Sequence, residues 1–337
     1  MRPGARQGRK LHGGRILKAA IVGIAGTDLS ADEAALFRAH PPMGAILFAR
    51  NVVSAPQLRA LTATLRRTLP RDAILMVDQE GGRVARLRPP HWRSHPPAAA
   101  LGSLRAAWLT GALIGLQCGD AGFDVVAAPV LDLAIPGAHA VIGDRALAED
   151  PARVGRLGRA FAAGLLAAGI QPIGKHIPGH GRARVDSHLG LPRVEANNLD
   201  ADLLPFTLNA DLPWAMSAHI VYPAWDPALP ATLSPTVIST IIRDRIGFQG
   251  VLVTDDIAMK ALSGSPADLA RRALEAGCDV ALYCSGEFAP TAGLLERCPA
   301  LTSPAVVRLA AARALARHLK LPLDAQSLAD ERDRLLA

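Results

Sequence analysis

Aromatic residues are scarce in this chain, 4% of 337 with only two tyrosines, which argues against an aromatic-rich β-sandwich core. Half of the residues are nevertheless hydrophobic, and small aliphatic ones dominate, so a sizeable core must pack helices closely onto strands. Cysteine is also sparse: Cys118, Cys278, Cys284 and Cys298 form no C-x-x-C pair, and a chain of this length needs no disulfide scaffold. A reducing, cytoplasmic setting follows as the expectation. No apolar run approaches the ~18 residues of a membrane span. Ala19–Gly26 is short for the core of an export signal, and no A-x-A-like site follows it. Acid is absent from residues 1 to 18, which hold Arg2, Arg6, Arg9, Lys10, Arg15 and Lys18. Six units of the net charge of +7 therefore sit in this arm, and the rest of the chain is close to neutral. The basic balance reads as a solvated arm over 1–18 and says little about a substrate.

What is present is alternation. Eight short apolar runs, Ala19–Gly26, Gly44–Arg50, Ala73–Gln79, Asp124–Leu133, Gln171–His176, Trp214–Pro223, Gly250–Asp256 and Asp279–Ser285, read as strands buried on both faces. Helical stretches such as Ala55–Leu69, Ala152–Ala168, Ser234–Ile246 and Pro266–Ala276 lie between them, with Asp150-Pro151 and Ser234-Pro235 as helix starts. A doubly wound sheet and an eight-fold barrel both fit that order. Polar residues end many of the strands (Asp78, Asp132, Lys175 and His176, His219, Asp255), and no G-x-G-x-x-G follows the first. That favours a single (β/α)8 TIM-type barrel over residues 19–337, with its chemistry at one mouth.

Three stretches carry the chemistry. Lys175-His176-Ile177-Pro178-Gly179-His180-Gly181-Arg182-Ala183-Arg184-Val185-Asp186-Ser187-His188 leaves the fifth strand for a long loop. His176 and His180 have the spacing of a helical metal pair, but Pro178 and Gly179 between them oppose a helix. Asp186 and His188, two apart in an extended loop, share a side, so the carboxylate can orient and charge-stabilise the imidazole. Val251-Leu252-Val253-Thr254-Asp255-Asp256 ends a strand in two acids: Asp256 is in place to cap the following helix, and Asp255 to enter the mouth as a carboxylate nucleophile. Met76-Val77-Asp78-Gln79-Glu80-Gly81-Gly82-Arg83-Val84-Ala85-Arg86 presents an acid and two arginines suited to sugar hydroxyls, or to a structural ion pair. Gly143-Asp144-Arg145 offers a further cation after the fourth strand.

In this order and at these strand ends, the segments resemble the glycoside hydrolase family 3 β-N-acetylglucosaminidases of bacterial peptidoglycan recycling. The K-H-x-P-G-H-G…D-S-H segment is the most specific, with Ile177 where phenylalanine is usual and Thr254 as a common variant of serine. The resemblance covers the chain from about Ala19. It implies a retaining enzyme that removes terminal non-reducing GlcNAc from muropeptides, with Asp255 as nucleophile, His188 as acid/base and Asp186 as its partner. It also implies that Asp78, Arg86, Arg145, Lys175 and His176 bind the amino sugar, with no metal or organic cofactor. Histidine adds no second negative charge at the scissile bond, which leaves room for an anionic acceptor such as phosphate. The muropeptide is the expected partner, with no nucleic acid, no membrane and a monomeric protein. Two other classes compete: a metal-dependent barrel hydrolase using His176, His180, His219 and Asp255, and a cell-wall or nucleic-acid binding module using the basic arm.

Overall fold

The computed structural model describes residues 16–183, 185–187 and 190–337. The basic arm through Arg15, together with Arg184, His188 and Leu189, lies outside the described residues. The eight expected strands form one closed parallel barrel in chain order: Lys18–Gly23, Pro42–Leu47, Ile74–Val77, Val125–Val126, Gln171–Ile177, Trp214–Ser217, Val251–Asp256 and Val280–Tyr283. The eighth strand closes on the first with Ile21 opposite Leu282. The fold is therefore the (β/α)8 barrel, and no doubly wound sheet is formed.

Two strands are shorter than their apolar runs. The fourth keeps regular pairing only at Val125–Val126, because Pro129 has no N–H to give to a ladder. The sixth stops at Ser217, and Val221–Tyr222 turns away to pair antiparallel with Asp226–Pro230.

Helix starts follow local chemistry. Ser30 and Glu33 form a reciprocal capping box before Ala31–Ala39. The Asp150 carboxylate accepts from Arg153 N ahead of Pro151–Ala167, with proline at the first position. Ser234 Oγ accepts from Val237 N at the start of Val237–Arg245, which is wound as a π-helix. The scarcity of large side chains is used where Leu104–Asp120 meets Pro151–Ala167. A Cβ on Gly111 would lie 2.1 Å from Phe161 O, and one on Gly164 the same distance from Trp108 O. Only glycine allows these backbones to approach so closely.

Two apolar layers result. One lies between strands and helices; the other fills the barrel, with Ile21, Ile74, Val125, Trp214, Val253 and Leu282 among its members. Helix Ser303–His318 closes the barrel beneath the strand starts, adding Leu309 and Ala312 to the interior, while its Arg308 reaches Asp279. The opposite end, where the strands finish, stays open. No helix among the described residues is long and apolar enough to cross a membrane.

Candidate active site

The open end holds a cavity of about 410 Å3 whose floor is the top of the barrel core, Met216, Leu282 and Cys284. Its walls include Asp78, Arg86, Arg145, Lys175, His176, Asp186 and Asp255, so seven of the eight residues singled out from the sequence line one space. The eighth, His188, lies outside the described residues.

The seventh strand delivers both acids. Asp256 Oδ1 accepts from Ala258 N and Cys284 N at 2.9 and 3.0 Å, which ties the strand end to its neighbour and spends that carboxylate on the turn. Asp255 accepts from Asp256 N at 2.8 Å and faces the cavity. Enclosure by protein alone would raise its pKa. Nearby His176 and His219, the Asp256 amide and Lys175 outweigh that effect and hold the carboxyl at about 2. It is ionised throughout the neutral range, as a carboxylate nucleophile must be.

The segment after the third strand builds the cationic wall. Gly81, at φ 101°, sits where a Cβ would meet Pro96 O at 2.3 Å, so only glycine makes this turn. Fully buried Gln79 accepts from Arg86 N and Leu87 N and fixes the return of the chain. Asp78 then receives Arg86 Nη2 at 3.2 Å and Lys175 Nζ at 3.0 Å. Arg83 reaches across to Asp144 and to the carbonyls of Ala140 and Val141, joining this turn to the segment that carries Arg145.

Glu80, missed as a site residue from the sequence, organises the same wall. It is buried, takes Arg145 Nε and Nη2 at 2.8 and 2.9 Å, and takes Lys175 Nζ at 2.6 Å. Burial would raise its pKa, but Lys175 and Arg145 hold it well below the usual range. Burial likewise disfavours charge on Lys175, yet Asp78 and Glu80 raise its pKa. These groups remain ionised because each is paired. The adjacency of Glu80 to Asp78 in one turn was the available signal; its partners, 65 and 95 residues away, were not visible.

A second missed carboxylate, Asp132, lies fully buried under the fifth strand's end and accepts from His176 and His180. Burial lowers the pKa of His180 to about 4, with His176 adding to that effect, so the ring is neutral. His180 Nε2 meets Ser187 Oγ at 3.3 Å across the loop, and Ser187 O accepts from Ala261 N. A Cβ on Gly181 would meet Leu133 O at 2.5 Å, so this glycine serves close packing. Two buried nitrogens beside the cavity, Arg86 Nε and His180 Nδ1, have no hydrogen-bond partner among the described residues.

The four residues of the metal-dependent reading do not gather as ligands. His176 Nδ1 is engaged by Asp132, and His219 contacts Thr232 Oγ1 through Nδ1 and Asp256 O through Nε2. Among the described residues, no three His, Cys, Asp or Glu side chains are grouped to hold a metal ion.

Residues 19–315 match the model of the glycosyl hydrolase family 3 N-terminal domain. The chain is 43% identical over 286 residues to a β-hexosaminidase of Methylococcus capsulatus, covering 81% of this chain and 84% of that protein. NagZ from Neisseria gonorrhoeae, solved in complex with N-trifluoroacetyl-D-glucosamine, superposes with a TM-score of 0.74 at 32% identity. That match covers 91% of this chain and 99% of NagZ. A family 3 β-N-acetylglucosaminidase from Paenibacillus sp. str. FPU-7 gives a TM-score of 0.81 at 29% identity, over 93% and 66% of the two chains. With the family model spanning most of the sequence and an acid-bearing barrel mouth to match, this chain belongs to glycoside hydrolase family 3 and is a glycoside hydrolase.

Proposed function

We propose that the protein is a retaining exo-β-N-acetylglucosaminidase that releases terminal non-reducing GlcNAc from muropeptides of the GlcNAc-1,6-anhydroMurNAc type in the cytoplasm. The observation that carries this reading is Asp255: an ionised carboxylate at the end of the seventh strand, facing a cavity walled by paired acids and cations. Asp255 attacks the anomeric carbon while His188 protonates the glycosidic oxygen, giving a glycosyl-aspartate; His188 then takes a proton from water. Asp186 orients His188 and supports its charge. Asp78, Arg86, Arg145, Lys175 and His176 hold the sugar hydroxyls and the acetamido group. The closed floor of Met216, Leu282 and Cys284 supports removal of one terminal sugar, because a chain cannot thread past it. The names of the similar proteins, β-hexosaminidase and β-N-acetylglucosaminidase, support the amino sugar.

The test compares turnover of 4-nitrophenyl N-acetyl-β-D-glucosaminide with that of the β-glucoside, followed by GlcNAc release from muropeptides. Preference for the glucoside would sink the substrate assignment. A slow fluoro-sugar substrate should leave its label on Asp255; a label on Asp256, or none, would overturn the mechanism.

A further inference from the structure

Asp132 is a heavily engaged carboxylate at the mouth, and the mechanism above gives it no step. It is 1% exposed and sits beyond the fourth strand, where it contributes nothing to the apolar core. An isolated buried carboxylate is strongly disfavoured unless it is fully compensated. Here the compensation comes from two loop residues. Oδ1 accepts from His180 N at 2.6 Å, and Oδ2 meets His176 Nδ1 at 2.6 Å. The His176 amide is shared between the two oxygens at 3.2 Å. Burial opposes the charge, but His176, His180 and these N–H groups bring the pKa of Asp132 below the usual value. An ionised carboxylate only accepts, so the proton between the two side chains belongs on Nδ1 of His176. The same turn is held from its far side by Tyr222 Oη, which donates to Gly179 O at 2.7 Å.

We infer that Asp132 is the positioning residue of the sugar site: it fixes the His176 ring with Nδ1 protonated and leaves Nε2 as the nitrogen that meets the substrate. His176 lines the cavity wall beside His180. With Nδ1 committed, the character of Nε2 toward a sugar hydroxyl is set by a residue the sugar never touches. An amide at position 132 cannot reproduce this arrangement. Its nitrogen would face either the imidazole Nδ1–H or the two backbone amides, so the ring would change tautomer or the turn would shift.

The inference rests on the hexosaminidase reading, and the experiment separates the two. Turnover of the aryl N-acetylglucosaminide by the wild type tests that reading. For the inference, kcat/KM is measured for Asp132→Asn, His176→Ala and the double variant. Asp132→Asn should cost roughly 10- to 100-fold, as the loss of an orienting partner does, and His176→Ala at least as much. The double variant should be no less active than His176→Ala alone, because Asp132 acts through a ring that is then absent. Losses that multiply would make Asp132 a merely structural anchor and overturn the inference. Nitrogen-15 NMR of histidine-labelled wild type gives a reading that does not depend on Asp132→Asn folding, with His176 assigned by the signal missing in whichever of His176→Ala and His176→Gln folds. A proton on Nδ1 supports the inference; a bare Nδ1 overturns it.

Discussion

The same eight strands end in opposite kinds of environment. Beneath their starts, helix Ser303–His318 adds Leu309 and Ala312 to the apolar cluster that also holds Leu17 and Met43. Above their ends, Asp78, Glu80, Asp132 and Asp255 share a small volume with Lys175, Arg86 and Arg145. The lower end is stabilised by area removed from water, which degrades gradually as side chains shrink. The upper end is stabilised by pairing, where removing one partner leaves another charge buried and uncompensated. Stability and chemistry are therefore divided along the barrel axis, and substitutions at the two ends should fail in different ways.

The sharpest break is Asp255→Asn. It keeps size and shape but neutralises a carboxylate whose pKa the fold lowers to about 2, so stability at pH 7 should fall by no more than about 2 kcal/mol, while kcat/KM for the aryl substrate falls by about 10^4-fold. A fall below tenfold would remove Asp255 from the reaction. Glu80→Gln should fail in both ways. It leaves Lys175 and Arg145 facing a neutral group, with about 3 kcal/mol lost in denaturant unfolding and activity down about 100-fold. Unchanged stability there would mean that the two cations repair the loss with Asp78 and solvent. Leu309→Ala at the plug should be the mirror case: roughly 3 kcal/mol less stable, with kcat within about twofold of the wild type. An activity loss as large as that of Glu80→Gln would show that the two ends are coupled.

How much of this was legible depended on range along the chain. The eight strands were legible because parallel strands buried on both faces are continuous apolar runs, and the barrel followed from polar residues at their ends. The departure of Val221–Tyr222 from the barrel was not, since an apolar run looks the same in a barrel and in a hairpin. Asp78, Arg86 and Arg145 stood out by residue type and place. Glu80 and Asp132 were in view yet unassigned, because their importance lies in contacts 44 to 95 residues distant. Asp186 lines the cavity, whereas His188, its expected partner, lies outside the described residues.

The smallest expected effect compares two buried histidines, one at the mouth and one on the barrel flank. His95 lies between helices Leu104–Asp120 and Ala325–Leu336, where Arg332 Nη1 donates to Nδ1 at 2.9 Å and Nε2 meets Gln117 Oε1. Burial is the main reason its pKa falls to about 4; Arg332 and Arg93 add to this, Gln117 and Asp333 oppose it. His180 is brought to about 4 as well, through burial and His176. Both folded values lie below the ordinary histidine value near 6.5. Between pH 6.5 and about 4, the unfolded chain therefore binds protons that the folded one refuses, and stability must fall as the pH falls. Each histidine contributes at most about 3 kcal/mol across that window. Unfolding by urea at pH 7 and pH 5 should show a loss of about 4 kcal/mol in the wild type, about 2 from each histidine. His95→Gln should remove roughly half of that slope with activity intact, whereas His180→Gln should remove a similar share and also disturb turnover through the Ser187 contact. The carboxylates with lowered pKa, Asp132, Asp255 and Glu80, titrate below this window and leave the difference between wild type and variant to the imidazoles. An identical slope in His95→Gln would mean that the flank histidine carries its proton in the folded state, with Arg332 turned away from it.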